Sequence, residues 1–151
     1  MPALILLLGV GFLTAVLWTD LVFDSAILPY RGTGENLPEE VLAATSSYYR
    51  RVTYKPYALF VVMAAMLGSL IFQITQGLVP DWVGWTSLVL FLVPSGCAGA
   101  YIIPIAVRLG VRKDGLEKQS ELARSLFGAH VFCFILVIML IAIQLYAAWA
   151  G

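Results

Sequence analysis

Charged side chains are scarce in this sequence: they make up 12% of its 151 residues, while apolar residues make up 61%. A soluble domain carries about 25% charged residues, so the composition excludes an ordinary soluble domain. It indicates an integral membrane protein whose main partner is the lipid bilayer. The net charge is zero at pH 7, and no basic surface therefore favours a nucleic-acid partner.

Lysine and arginine are missing from residues 1–19. A secretory signal peptide needs a positively charged start and a small-residue cleavage site, so we interpret the first apolar run as a true membrane span. The spacings H-x-x-H and E-x-x-H are also missing, and we predict no metal site. Cys97 and Cys133 both fall in apolar runs, where they are expected to be small buried side chains rather than a disulfide. No cofactor is identified by the sequence.

Four apolar runs are long enough to cross a hydrocarbon core of roughly 30 Å, which takes about 20 helical residues. They cover residues 4–23, 57–74, 82–107 and 126–149. We predict an all-α, polytopic membrane protein in which residues 1–151 form a single four-helix transmembrane bundle. A stripe at helical spacing begins in the segment that leads into the last run and continues along that run, and it should face the other helices. It contains Gln119, Ala123, His130, Phe134, Val137, Ile141 and Gln144.

The segment between the first two spans is too long for a simple turn and predicts a short interfacial helix. Asn36 can cap such a helix, and Pro38 fits its first turn. Acidic residues follow at its start, and Arg50 and Arg51 suit its end. Its inner face would carry Val41, Thr45, Tyr48 and Val52.

Positive charge is confined to two segments of the chain. All nine Lys and Arg residues lie there, namely Arg31, Arg50, Arg51, Lys55, Arg108, Arg112, Lys113, Lys118 and Arg124. Short loops rich in Lys and Arg stay on the cytoplasmic side, so both segments are predicted to be cytoplasmic and both termini outside. We expect the membrane to be the bacterial inner membrane.

Asp20 and Asp24 are the charged residues of the first span, and their spacing puts them on one helix face. We predict that Asp20, one turn deeper, pairs with Arg50, Arg51 or Arg108, since a carboxylate in hydrocarbon is costly. Asp24 is expected to be an ordinary headgroup-level residue, with ligand binding beside these arginines as the alternative.

His130 lies near the start of the fourth span, at the same predicted depth as the two carboxylates. An acid, a base and cations together could handle a proton or hold the polar group of a lipophilic ligand. We take Asp20 and His130 as candidate catalytic residues, and Asp24, Arg50, Arg51 and Arg108 as candidate ligand-binding residues. A hydrogen bond from His130 to a neighbouring helix, with no catalytic role, remains the alternative.

The third span contains two prolines, Pro94 and Pro104, on either side of a run of small residues. Each proline removes a backbone hydrogen bond, so we predict a bend between them. The bend should leave either a tight helix contact or a cavity at Gly96 and Gly99, which we add to the candidate ligand-binding residues.

Several short motifs follow one another along the chain: GVGFLTA, AILPY, the RR pair before the second span, IIPIAVRLG and LFGAHVF. Their order resembles that of the anthrone-oxygenase-like family of small four-helix membrane proteins. The resemblance implies a four-helix membrane fold and supports His130 as a candidate catalytic residue. Ile105 and Phe127 stand where family members often have Asn and Trp, so no further residue is carried over.

Two functional hypotheses follow from these features. In the first, the protein binds or transforms a small lipophilic molecule at a cytoplasm-facing cavity within the membrane. In the second, it is a non-catalytic accessory subunit of a larger membrane complex. Its partners would then be other membrane proteins or further copies of the same chain. A proton-coupled carrier is less favoured, because the chain shows no internal repeat.

The predicted orientation can be tested with a cysteine introduced next to Pro80. A membrane-impermeant maleimide added from outside should label it, because the turn at residues 78–81 carries no positive charge and is predicted to lie outside. A cysteine at Lys113 serves as the control and should react only after permeabilisation. Labelling near Pro80 from the cytoplasmic side alone would overturn the orientation.

Overall fold

The computed structural model of the chain describes residues 2–32, 34–53 and 57–150, and this part is helical and contains no β-strand. Lys55, one of the residues used to predict the orientation, lies outside the described residues. Four helical segments are long and apolar enough to cross a membrane, by length and composition. The predicted all-α class and the four apolar helices are therefore confirmed.

The helices follow the chain in an order close to the predicted one. The first is α1 (Pro2–Asp24), continued by a 3₁₀ turn (Ser25–Tyr30), and α2 (Glu39–Val52) and α3 (Tyr57–Thr75) come next. The third apolar segment comprises α4 (Asp81–Cys97), a π-helical turn (Ala98–Ile102) and α5 (Ile103–Val111), and α6 (Leu116–Ala150) ends the described chain.

Helix α6 begins ten residues before the predicted fourth span, at Leu116 rather than at residue 126. Its first turns are polar and hold the loop before α2, where the Ser120 hydroxyl accepts a 2.9 Å hydrogen bond from the Leu37 backbone amide. Hydropathy alone marks only the part that can lie in lipid. The predicted inner stripe of α6 is confirmed, since Gln119, His130, Val137 and Gln144 are all buried.

The four apolar helices pack in a ring, because α1 contacts α3 and α6, and α4 also contacts α3 and α6. Their shared core is apolar and consists of Leu6, Val10, Met66, Leu70, Leu90, Phe91, Val137 and Leu140. Helix α2 lies at one end of this ring, packed mainly on α5. We call this end, where α1 and α5 finish and α6 starts, the basic end.

Helix α2 exists as predicted, but its start and its inner face differ from the prediction. Pro38 rather than Asn36 occupies the N-cap position. The buried residues are Leu42, Thr45, Ser46 and Tyr49, so the face is shifted by one residue along most of the helix. The reason is that α2 packs on α5 and α6 as well as on α1. Contacts with these three helices bury a different set of side chains from the set that the spacing of apolar residues predicted.

The interruption of the third segment falls at the π-helical turn, between the two prolines as predicted. Pro104 has no amide hydrogen to donate to the carbonyl one turn earlier, and π-helical turns in α-helices widen the turn locally. A tight contact at Gly96 or Gly99 is wrong: both are exposed, and a Cβ at either would meet no atom within 4 Å.

A close helix contact does occur at another glycine, Gly110 in α5. A Cβ there would lie 3.1 Å from the Arg50 backbone nitrogen and 3.2 Å from its Cα. Backbone atoms cannot rotate away as a flexible side chain can. The missing side chain at Gly110 thus allows α5 to approach α2.

Replacing Gly110 with Leu should separate α2 from α5 and destabilise the protein by about 1–3 kcal/mol, as overpacking does. Gly99→Leu is the matched control and should be tolerated, because nothing lies near its Cβ position. Thermal unfolding of both variants in mild detergent measures the difference. If Gly99→Leu were the more damaging change, another chain would have to cover that face.

Candidate functional site

Asp24, the last residue of α1, is the centre of a hydrogen-bonded cluster at the basic end. Its side chain is 1% exposed. The Tyr49 hydroxyl donates to Oδ1 over 2.6 Å, and His130 Nδ1 lies 2.8 Å from Oδ2. A buried carboxylate needs such partners, because an unpaired charge in an apolar interior is strongly disfavoured. The expectation that Asp24 is an ordinary residue is therefore wrong, because its side chain is buried within the protein and hydrogen-bonded from two other helices.

Tyr49 and Tyr48 supply the hydroxyl donors of the cluster from neighbouring positions on α2. Burial raises the pKa of Tyr49, and the negative charge of Asp24 and the hydrogen bond to it raise that pKa further. Burial and the hydrogen bond to Asp20 likewise raise the pKa of Tyr48. Both phenols therefore stay protonated at physiological pH and act as donors.

His130 is held from two sides and is 2% exposed. Its ring stacks on that of Tyr49, with centroids 6.2 Å apart and planes at 22°. A carboxylate only accepts hydrogen bonds, so we assign the proton to Nδ1, which donates to Asp24. The other ring nitrogen, Nε2, is then an acceptor and lies 3.9 Å from Asp20 Oδ2, beyond hydrogen-bond distance.

Asp20 accepts a 2.6 Å hydrogen bond from the Tyr48 hydroxyl at Oδ1. The prediction that Arg50, Arg51 or Arg108 pairs with Asp20 is wrong. Tyr48 takes that place and is itself stacked on Phe23 of α1, with ring centroids 4.0 Å apart. The sequence placed Tyr48 on the inner face of α2, but neither tyrosine was predicted as a donor to the carboxylates. The signal for that role was that a buried Tyr hydroxyl needs a partner.

The arginines of the predicted site point elsewhere. Arg108 forms a bidentate pair with Asp114, at 2.6 and 2.7 Å, and holds the pKa of that carboxyl below its ordinary value. Arg50 and Arg51 are exposed on the outer face of α2. The predicted convergence of six residues is thus reduced to Asp20, Asp24 and His130, joined by the two tyrosines.

Two adjoining cavities meet the cluster. The large cavity, of about 490 Å³, is bounded by α1, α2, α3, the π-helical turn, α5 and α6. The small cavity, of about 100 Å³, extends from there between α1, α3, α4 and α6. Residues shared by both walls are Val16, Asp20, Leu59, Ile102, Ile103 and His130.

The large cavity lies between α3 and α5, which pack on different helices. Helix α3 packs on α1 and α4, whereas α5, after the π-helical turn, packs on α2 and α6. Of the candidate site residues, only Asp20 and His130 line these two cavities, and Asp24 lies behind His130. Gly96, Gly99, Arg50, Arg51 and Arg108 line neither of them.

The geometry resembles a general base held by a carboxylate. A hydrogen-bond partner on Nδ1 fixes the tautomer and the ring orientation of a histidine, so that Nε2 is free to accept a proton. Here Asp20 and His130 both line an apolar cavity, and His130 Nε2 lies 3.9 Å from Asp20 Oδ2. Within the part of the chain that the structure describes, no group of three or more His, Cys, Asp or Glu side chains is arranged to hold a metal ion.

No protein-family model, curated protein or solved structure matches this chain.

Replacing Asp24 with Ala should destabilise the protein far more than replacing Asp20. Asp24→Ala leaves two buried donors, on Tyr49 and His130, without an acceptor, and breaking a buried pair costs about 3–5 kcal/mol. Asp20→Ala removes one hydrogen bond at a partly exposed site, worth about 1 kcal/mol. Thermal unfolding of the two variants in detergent tests this, and equal or reversed losses would contradict the central place of Asp24.

Proposed function

We propose that the protein binds a small lipophilic molecule in the large cavity and holds its polar group between Asp20 and His130. The observation that carries this proposal is that Asp20 and His130 line the same apolar cavity, with His130 Nε2 3.9 Å from Asp20 Oδ2. Binding sites for small molecules are mostly apolar, with a few polar groups, and enclose about 300–1,000 Å³.

Access from the bilayer is supported by the side of the cavity formed by α1 and α3. Phe12, Ala15 and Thr19 of α1 and Ala58 of α3 line it and are exposed on the protein surface. A lipophilic molecule dissolved in the bilayer would reach the cavity between these helices. With the basic end on the cytoplasmic side, the polar group of the ligand would lie near the cytoplasmic interface, and α2 would lie in that interface.

His130 is the group that would perform chemistry on such a ligand. Nε2 can accept a proton from the polar group of the ligand while Asp24 stabilises the imidazolium that forms. Asp20, 3.9 Å away, would hold the ligand or stabilise the same charge. The resemblance to anthrone-oxygenase-like proteins stays a prediction and adds no step to this scheme.

An accessory-subunit function is the second candidate, and one observation favours it. Gly96, Gly99 and Ala100 are exposed together on the third segment, and small residues allow another membrane helix to approach closely. In that case a partner chain would pack on this face.

Native mass spectrometry of gently extracted protein tests both candidates. Wild type should retain a small molecule, and Ala58→Trp should lose most of it, because Ala58 lines the large cavity. Ala65→Trp is the matched control, two turns further along the same exposed face of α3, and should retain the molecule.

Two results would count against ligand binding in the cavity. One is a small molecule retained equally by both tryptophan variants, and the other is the absence of any retained molecule. A protein partner present in a fixed ratio would instead establish the accessory-subunit function.

A further inference from the structure

The acidic groups of the cluster indicate which class of ligand it would bind. This inference rests on the proposed function. The cluster contains two acidic groups, the carboxyl groups of Asp20 and Asp24, and a single imidazole, that of His130. The arginines nearest in sequence are engaged elsewhere or exposed. Among the described residues, no Lys or Arg forms an ion pair with either aspartate. The cluster thus combines two acidic side chains with one imidazole and, among the described residues, no lysine or arginine partner.

The imidazole of His130 supports the same inference independently. His130 lines the large cavity and is 2% exposed, and the one side-chain hydrogen bond found for it in the described part of the chain is at Nδ1. Asp20 lines the same cavity, and its Oδ2 lies 3.9 Å from His130 Nε2. One nitrogen atom can donate to both of these atoms at ordinary distances of about 2.8–3.0 Å.

We propose that the ligand is a lipophilic amine in its ammonium form, which donates to Asp20 Oδ2 and His130 Nε2 while its apolar part fills the large cavity. Its positive charge would be attracted by the two acidic side chains, and a neutral alcohol lacks that attraction. An anion would be repelled by an ionised aspartate.

Three probes with the same alkyl chain separate charge from apolar burial: decylamine, decan-1-ol and decanoate. Their binding to wild-type protein is measured by calorimetry in nanodiscs of zwitterionic lipid, with empty nanodiscs subtracted for partitioning. Decylamine should bind about tenfold more tightly than decan-1-ol, the ratio expected for a hydrogen bond to a charged group. Decanoate should bind more weakly than either.

Asp20→Asn should reduce the preference for decylamine over decan-1-ol to about twofold or less, because it removes the charge and keeps the shape. Asp81→Asn is the matched control: it removes an exposed carboxylate at the opposite end of the third segment and should keep the preference. The comparison of probes on wild type decides the matter even if Asp20→Asn does not fold.

The outcomes separate this inference from the proposed function. If decan-1-ol binds as tightly as decylamine, and Ala58→Trp weakens both, the cavity binds lipophiles and the amine inference is overturned. If Ala58→Trp changes the binding of no probe, both are overturned. A preference for decylamine that Asp81→Asn abolishes and Asp20→Asn preserves would also overturn the inference.

Discussion

The buried carboxylate of Asp24 is the constraint on which the basic end of the protein depends. In a low-dielectric interior it is stable only with donors on its oxygens, and those donors come from two other helices, as Tyr49 of α2 and Nδ1 of His130 of α6. The end of α1 is therefore held against α2 and α6. The hydrogen bond between Asp24 and Nδ1 also orients the imidazole of His130, which lines the cavity. Asp24 therefore contributes both to assembly and to the geometry of the site.

The cavity depends on a second feature, the interruption of the third segment. The π-helical turn before Pro104 directs α5 toward α2, where the missing side chain of Gly110 allows close approach. Space is left between α3 and α5, and Asp20 and His130 form its polar end. The cluster and the cavity are thus produced by different parts of the sequence that meet at one depth.

The apolar runs predicted the four long helices well, because hydropathy reports directly on segments that can lie in lipid. The inner stripe of α6 was also predictable, since a long regular helix keeps its 3.6-residue period. The hydrogen-bond partner of Asp20 was not predictable from the sequence in this way. Arginine is the obvious partner of a carboxylate by charge. Tyr48 was predicted on the inner face of α2 but not as a donor, and only the rotation of α2 about its axis decides that Tyr49 is buried while Arg50 and Arg51 are exposed. The prediction for Gly96 and Gly99 was wrong for a related reason. Composition shows that small residues are present, but it does not show which side of the helix faces the other helices.

The most direct test of this account uses the fact that His130 is the only histidine in the chain. In protein labelled with ¹⁵N-histidine, NMR reports a single imidazole and shows which nitrogen carries the proton. The account predicts a protonated, hydrogen-bonded Nδ1 whose signal shifts in Asp24→Asn, and an Nε2 with no hydrogen-bond partner in the ligand-free protein. An imidazole protonated only at Nε2, with an Nδ1 signal unaffected by Asp24→Asn, would contradict it.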